Sequence, residues 1–385
     1  MDWSGHAAAL ADRVARPGSP WRDAVLGLPR HVFVPAWFEQ ADDRTWRVRR
    51  GADAPEAWLQ AAYSERSLVT RVGGVHADHA LPGQAVHGRP TSSATMPSLT
   101  VRMYEHALLA PGMRVLDVGT GSGYGTALLA HRFGGDRVVS VDVDRYLVRA
   151  AAGRLAAVGL SPGLHCLDAL GGELPPGGYD RIVATVGVPG IPPSWIAALR
   201  PGGRVVATLA DTSLIVVADR QDDGTLLGHT TWDRGGFMSA RSGDDHPDDG
   251  VDWTAAATGE GTPETGRYPV LDVAQAWDVQ SMLALLCPGV RHRYSADGER
   301  RTALMAHPDG SWARAEARGQ EPPVVYQGGP RRLWDLLDGV RDHWLRHGEL
   351  PVRGAWVRVT PDGRTTLMRG RWKLQVKADQ GAGIS

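Results

Sequence analysis

The chain has 385 residues, 42% of them hydrophobic and 22% charged, with 42 Lys plus Arg against 43 Asp plus Glu. This length and apolar content predict a soluble globular protein of two domains, and the balanced charge, with no compact basic stripe, excludes a nucleic-acid partner held by a global field. No apolar run approaches the roughly 20 residues that span a bilayer, and the amino terminus lacks the basic start and apolar stretch of a signal peptide, so a cytosolic protein without membrane contact is expected. Cys166 and Cys287 are too few for a disulfide framework, and each sits beside apolar residues, so buried reduced thiols are expected.

Residues 1–105 read as a helical and irregular lid or entry segment, in which Val25, Leu28, Val32 and Phe33 are interrupted by Pro29 and Pro35. From Met113 the chain alternates strand and helix: RVLDVG, TALLAHRF, VVSVDV, RYLVRAAAGRLAAV, HCLDAL, YDRIVATV, WIAAL and GGRVVATL. Such alternation predicts a parallel sheet covered by helices, an α/β fold. Leu147, Ala151, Leu155 and Val158 recur at helical spacing and mark a crossover helix with one buried face. LIVVADR and TLLGHTT, joined by DDG, then read as a hairpin that closes the sheet with antiparallel strands.

Residues 239–266 are rich in Asp, Gly, Pro and Thr, the composition of a solvated linker, and the domain boundary is placed there. Beyond it SADGE, HPDGS and TPDGR are three turn signals flanked by strand-like runs. Between the second and third, Leu333, Leu336, Leu337, Val340 and Trp344 form the apolar stripe of a helix, with Pro330 in its first turn and Gly348 as its cap. The division is therefore 1–105 as the N-terminal segment, 106–238 as the α/β domain, 239–266 as linker and 267–385 as a second, smaller α+β domain.

Residues 115–130, VLDVGTGSGYGTALLA, carry the densest chemical signal: a strand ending in Asp117, a turn through Gly119, Gly121 and Gly123, and an alanine-rich helix. Alternate glycines let the backbone turn tightly and approach a ligand, and a carboxylate at a strand end lies where doubly wound sheets bind ligands. A dinucleotide fingerprint needs glycine at position 124, where Tyr124 stands, so a pyrophosphate on the helix terminus is disfavoured. The segment resembles motif I of S-adenosylmethionine-dependent methyltransferases, which implies a Rossmann-like sheet and S-adenosylmethionine as cofactor. In such a site Asp117 faces the cofactor ammonium, with Thr120 in the same loop. Asp142, 25 residues further on, ends the next strand beside Val143 at the spacing of a ribose-binding carboxylate, and Asp168 beside Ala169 is placed to accept from the adenine amino group. Both carboxylates can instead cap helices. Asp180 reads as a residue that orients the sheet.

Reading back from the glycine turn, LPRHVFVP at 28–35, AYSERSLVT at 62–70 and TSSATMP at 91–97 occur in order. Over roughly residues 25–210 this resembles the protein-L-isoaspartate O-methyltransferases, which carry comparable PRxxFVP and T-x-S-A segments before the glycine loop. The resemblance puts Ser93 in the place of the active-site serine, with Thr91, Ser92 and His87 as substrate-side neighbours. Two departures stand out: Arg89 and Pro90 replace the family's glutamine approach, and Thr95 and Met96 replace the proline-histidine after the alanine. The bland reading of 91–98 is a helix start, with Thr95 as cap and Pro97 in the first turn.

The long region after the α/β fold resembles a subgroup of that family found with ATP-grasp ligases in ribosomal peptide (graspetide) pathways. That resemblance implies an acceptor that is an aspartate side chain in an already cyclised precursor, the ester then closing to aspartimide, with an ATP-grasp ligase as functional partner. The alternatives are a general isoaspartate repair enzyme with an extra C-terminal domain, and a peptide-carrier module without catalysis. The loop VHADHALPGQAVHG, with His76, Asp78, His79 and His87, fits no closed zinc pattern, and no metal is expected. Trp334 and Trp344 read as core, while Trp312 and Trp356, alternating with Arg314 and Arg358, suggest the lining of a peptide groove.

Overall fold

A computed structural model of the protein describes residues 2–43, 45–242 and 250–376. Its spine is a ten-stranded sheet. The strand Val115–Val118 is central among its five parallel strands, flanked on one side by Val138–Asp142 and then Gly163–Cys166 at the sheet's edge, and on the other by Tyr179–Val188 and then Leu199–Leu209. Chain direction thus reverses its march between Val115–Val118 and Tyr179–Val188, the switch point where open α/β sheets leave a crevice at their carboxyl ends. The hairpin Leu214–Arg220 and Leu226–Arg234 follows as expected, with Gly224 at positive φ in its turn.

The helix Arg145–Ala157 buries Leu147, Ala151 and Leu155 against the sheet, as its spacing predicts. Its cap is Asp144, which accepts from the amides of Tyr146 and Leu147. The helix Pro97–His106 differs from expectation. Pro97 does occupy the first turn, but the cap position is Met96, not Thr95, and no side chain of the segment caps it. Glu65, from a remote loop, accepts from Ser98 N at 3.0 Å instead. A carboxylate brought there by tertiary packing satisfies one of the free amides and also suits the positive end of the helix dipole.

The N-terminal segment is not only helical and irregular. Strands Ala36–Gln40, Trp46–Arg50, Leu68–Val72, Val75–His76, Ala85–Val86 and Pro90–Ala94 form a six-stranded sheet of their own. These runs are two to five residues long, too short for alternation to mark them. The strand Pro90–Ala94 pairs antiparallel with Leu68–Val72, setting Ser93 opposite Val69.

The C-terminal region also corrects the expected division. The three turn signals do close hairpins, with Gly298, Gly310 and Gly363 at positive φ. Strands Arg291–Asp297, Arg300–Ala306, Trp312–Arg318 and Val324–Gly328, with Glu264–Thr265, make a separate five-stranded antiparallel sheet. Trp356–Val359, Thr365–Arg369 and Trp372–Val376 instead extend the ten-stranded sheet beyond the hairpin, with Trp356 opposite His229. One hydrophobic core runs from Leu116 and Ile182 through Val279 and Ala313 to Leu337 and Leu367, so the region after 267 is packed onto the α/β sheet rather than beside it. Arg353 fastens the join: 3% exposed, it donates to Ser213 O at 3.0 Å, Asp233 O at 2.8 Å and Asp278 Oδ1 at 3.0 Å. Of the expected linker 239–266, residues 243–249 lie outside the described residues.

The helix Leu333–His347 ends at Gly348 with φ 75°, as predicted, but begins after Pro330. Trp334 is buried in the core and Trp344 is half exposed. Trp312 is buried against Ala256 and Ala306 while Trp356 is exposed, so the two do not line one groove. Cys287 is buried, but Cys166 is exposed. No helix among the described residues is long and apolar enough to cross a membrane.

Candidate functional site

The carboxyl ends of the parallel strands open into a cavity of about 320 Å³. Its walls include Asp117, Gly119, Thr120 and Gly121 from the glycine turn, Asp142 and Val143, Asp168 and Ala169, and Thr91, Ser92 and Ser93 from the N-terminal sheet. These residues come from four separate stretches of the chain: the fold brings three of the stretches together at the carboxyl ends of neighbouring parallel strands, beside the switch point, and lays the N-terminal strand Pro90–Ala94 against them.

The glycine turn needs its glycines for different reasons. Gly119 has φ 99°, and a β-carbon there would lie 2.9 Å from Val186 Cγ1. At Gly121 φ is 51°, and a β-carbon would sit 3.6 Å from Ser93 O, so the acceptor-side strand is laid directly over the turn. Gly123 does not line the cavity. Its β-carbon would meet Ala151 Cβ at 3.0 Å and Phe33 Cδ1 at 3.4 Å, at φ 91°. It is a packing glycine, and Gly123→Ala is expected to cost about 1–3 kcal/mol of stability with cofactor affinity retained in the folded fraction, as read by chemical denaturation and calorimetric titration. Tyr124 next to it is buried, tilted against Phe33 at 5.8 Å, which is why no third glycine is wanted in that register.

Asp117 is 1% exposed. Its Oδ2 accepts from Thr126 Oγ1 at 2.7 Å and Ser140 Oγ at 2.9 Å, and Thr120 Oγ1 shares a 2.7 Å hydrogen bond with Ser140 Oγ. Burial pushes the Asp117 carboxyl up to about 6, against the opposing effect of its two hydroxyl donors. Burial likewise raises Asp142. Asp142 accepts from Gly121 N at 2.9 Å and from Asp144 N at 3.0 Å, which ties the second strand end to the glycine turn. Asp168 accepts from Leu170 N at 2.9 Å, and Trp195 Nε1 donates to Ala169 O at 2.6 Å to anchor that loop. Asp180 lies away from the cavity, taking Arg114 N at 2.7 Å and Arg200 Nη1 at 2.9 Å, a brace between strands.

On the acceptor side, Ser92 is buried and accepts from Thr70 Oγ1 at 3.1 Å, whereas Ser93 is half-buried on the cavity wall. Thr91 Oγ1 donates to Gly73 O at 3.2 Å. His87 is exposed and off the cavity. The other histidines of its loop are engaged elsewhere: His76 Nε2 lies 3.1 Å from Asp144 Oδ2, and both His76 and His79 pack on the Tyr146 ring at 4.4 and 4.5 Å between centroids. No group of three or more metal-type side chains gathers among the described residues.

Two features of the site were not legible in the sequence. Residues 236–241 form one wall of the cavity, held to the sheet by Gly187 N donating to Met238 O at 2.9 Å and Ala240 N donating to Gly187 O at 2.7 Å. The polar composition that suggested a linker gave no sign of this pairing. Asp144 is a buried hub, its Oδ2 taking Arg71 Nη1 at 3.1 Å and Arg241 Nη2 at 3.2 Å besides His76, which holds its carboxyl well below the usual range. A second aspartate two residues past a strand end, at a helix start, was the only local signal of it.

The donor set fits one kind of cofactor. A buried carboxylate aimed at a cavity suits a fixed cation, a second carboxylate at the adjacent strand end suits vicinal hydroxyls, and the glycines leave room for a close ligand. Asp117 would hold the ammonium, Asp142 the ribose and Asp168 the adenine amino group. Fold and site together define a class I S-adenosylmethionine-dependent methyltransferase.

Residues 47–233 match the family model of protein-L-isoaspartate(D-aspartate) O-methyltransferase. A protein-L-isoaspartate O-methyltransferase of Anaeromyxobacter dehalogenans is 36% identical over 189 residues, covering 46% of this chain and 83% of that one. Its counterpart from Pyrococcus horikoshii is 35% identical over 156 residues, covering 39% of this chain and 68% of that one. The chain belongs to the protein-L-isoaspartate O-methyltransferase family. Among solved structures, a protein-L-isoaspartate O-methyltransferase overlaps 93% of this chain and 96% of its own at 20% identity and a TM-score of 0.49. A Plasmodium falciparum structure described as a complex with S-adenosyl-L-homocysteine overlaps 63% of this chain and 99% of its own at 13% identity and a TM-score of 0.42.

Proposed function

We propose that this methyltransferase esterifies the side-chain carboxylate of an aspartate in a cyclised ribosomal peptide, and that the ester then closes to an aspartimide. The observation that carries this reading is the C-terminal region. The family match ends at residue 233, yet residues 236–241 wall the cavity and three further strands extend the sheet. Such an addition, built into the wall of the active cavity, suits an enzyme that selects one constrained peptide. The strand Arg291–Asp297 is the last of its sheet among the described residues, and an edge strand is the kind of element on which an extended peptide can add. Of the departures at Arg89, Pro90, Thr95 and Met96, Pro90 and Thr95 line the cavity beside Ser93. An ATP-grasp ligase that makes the cyclised substrate would be the functional partner.

Bound S-adenosylmethionine supplies an electrophilic methyl group, and the residues of this chain supply placement. A carboxylate is already ionised near neutral pH, so no general base is needed. One carboxylate oxygen accepts from Ser93 Oγ while the other is left to form the new C–O bond, which is catalysis by orientation. Esterification then turns a poor leaving group into methoxide, and the following backbone nitrogen closes the five-membered imide by an intramolecular attack of high effective molarity, releasing methanol.

Ser93→Ala is expected to lower kcat by about 10–100-fold with cofactor affinity unchanged, measured by methyl-transfer kinetics and calorimetry; an unchanged kcat removes Ser93 from the mechanism. The reading as a whole is tested by intact mass. Ligase-cyclised precursor, linear precursor and a generic isoaspartyl peptide are each incubated with enzyme and cofactor. Gain of one methyl followed by loss of methanol on the cyclised precursor alone supports it, and methylation of the isoaspartyl peptide alone leaves a general repair enzyme.

A further inference from the structure

A second cavity, of about 220 Å³, adjoins the first and plays no part in the chemistry above. Three tryptophans line it, Trp232, Trp277 and Trp344, which are 68%, 40% and 45% exposed. Trp344, which the apolar stripe of its helix would have put in the core, stands on this space instead. Exposed apolar residues scattered singly need no account, but three tryptophans gathered on one concavity mark a binding surface. We propose that this cavity receives an aromatic side chain of the acceptor peptide, a few residues from the aspartate that is methylated; this rests on the peptide-acceptor reading above.

The charges around the cavity select a neutral occupant, because they are already matched. Asp278 takes Arg353 Nε at 3.0 Å and lies 3.6 Å from Arg234 Nη2, and Glu349 takes Arg369 Nη2 at 2.9 Å. Two of the indoles carry cations of the chain itself: Arg234 lies over the Trp277 ring at 5.7 Å and Arg369 over the Trp232 ring at 5.4 Å. A lysine or arginine from a partner would have to displace one of these guanidiniums to find a carboxylate, and an incoming carboxylate would have to break an existing pair. A neutral ring displaces nothing, and it stacks or packs edge-on against indole with a gain beyond the area it buries. The volume falls below the about 300–1,000 Å³ of small-molecule pockets and suits one side chain.

Continuity with the cofactor cavity assigns that side chain to the acceptor peptide. The strand Leu226–Arg234 ends on the second cavity at Arg234, and Gly236 already belongs to the wall of the first. Their α-carbons are at most about 7 Å apart, and an extended peptide covers about 3.3–3.6 Å per residue, so a peptide with its aspartate at Ser93 has near neighbours within reach. The separation is fixed. Gly235 between them is buried, and a β-carbon on it would lie 3.0 Å from both Leu99 Cδ1 and Ile215 Cδ1. Gly235 N donates to Ser213 O at 3.2 Å, and Arg353 holds the same carbonyl and Asp233 O. Trp277 and Trp344 come from the helices Trp277–Leu286 and Leu333–His347, beyond residue 233 where the family match ends. The cavity therefore forms between the last matched strand and the added region, where a selectivity peculiar to this chain belongs.

The test uses the full chain with S-adenosylhomocysteine bound and its indoles labelled with nitrogen-15, titrated with N-acetyl-phenylalaninamide and with the alanine and lysine analogues, followed by NMR. The phenylalanine probe is expected to shift the indole signals of Trp232, Trp277 and Trp344 saturably, and the analogues to bind there at least about 10-fold more weakly. Acetylated, amidated peptides that carry one aspartate followed by glycine, with a phenylalanine at each position within about four residues of it, then join the two cavities. One spacing is expected to bind at least about 10-fold more tightly than its alanine counterpart, and Trp344→Ser or Trp277→Ala to remove that gain with S-adenosylhomocysteine affinity unchanged. The proposal is overturned if the phenylalanine probe leaves the three indoles unshifted, if no spacing gains over alanine, or if the gain survives both substitutions. Dimerisation of the wild type that Trp344→Ser abolishes would show a second copy of the chain seated on the cavity, and overturns it as well. Failure of the peptide-pathway reading looks different: the phenylalanine preference persists in isoaspartyl peptides, which are methylated while the cyclised precursor is not.

Discussion

Replacing Asp117 by asparagine is expected to stabilise the cofactor-free protein by about 2 kcal/mol near pH 7.5 while weakening cofactor binding at least about 100-fold. The carboxyl is buried and raised to about 6, so at neutral pH the folded protein holds an anion that burial disfavours. An amide keeps an oxygen to accept from Thr126 and Ser140 and removes the charge. The sign follows from linkage. With the folded value above the unfolded one of 3.8, this group's contribution to stability is full below 3.8 and is lost as pH rises through about 6. Cofactor binding runs the other way, because the ammonium needs the ionised form. S-adenosylhomocysteine affinity is expected to fall roughly tenfold from pH 7.5 to pH 5 in wild type, and to fall less steeply in Asp117→Asn, where Asp142 is the raised carboxyl that remains. Thermal unfolding of the apo protein and calorimetric titration across that range check both halves; a variant that is no more stable yet binds normally would remove Asp117 from the cofactor site.

The second large effect is expected at Arg30, which the sequence presents only as one letter of LPRHVFVP. It is fully buried, donates to the carbonyls of Ala62, Ser64 at 3.4 Å and Thr95 at 3.1 Å, and lies over the Tyr124 ring at 5.5 Å. Burial lowers its pKa, and the carbonyls around it are what keep a charge there tolerable. One side chain thus ties the loop carrying Glu65, the helix after the glycine turn and the residue that follows Ala94 in the acceptor strand. Arg30→Met keeps the apolar stem but strands those carbonyls, and is expected to cost about 3–5 kcal/mol in denaturant-induced unfolding. Activity at low temperature should fall with the folded fraction, since Arg30 does not line the cavity. A loss of kcat in fully folded protein would instead give Arg30 a direct part in setting Ser93.

Much of the cofactor half was legible because it is local. A strand, three glycines and a helix lie within sixteen letters, and the carboxylates recur at strand ends whose spacing the alternating pattern dictates. Gly119 and Gly121 could be read this way, yet the same pattern misplaced Gly123, whose need for glycine comes from Ala151 on another helix. His87 failed for a similar reason. It precedes Ser93 by a few residues, but the chain turns there and leaves the ring in solvent. Thr95 looked like a helix cap because the short-range signals for one are generic, whereas the cap comes from Glu65 across the fold.

The sequence by itself determined the parallel sheet, the glycine turn, the hairpins at their PDG-type signals and a helix carrying Leu333 to Trp344 and capped at Gly348, all of which follow from periodicity and from residues that fix φ over a few positions. Tertiary structure decided the rest: that three C-terminal strands join the α/β sheet, that residues 236–241 wall the cavity, and that Arg71, His76 and Arg241 meet on Asp144. Those arrangements depend on pairing between segments that are far apart in the chain, where edge hydrogen bonds and buried charge, not local propensity, choose the partner.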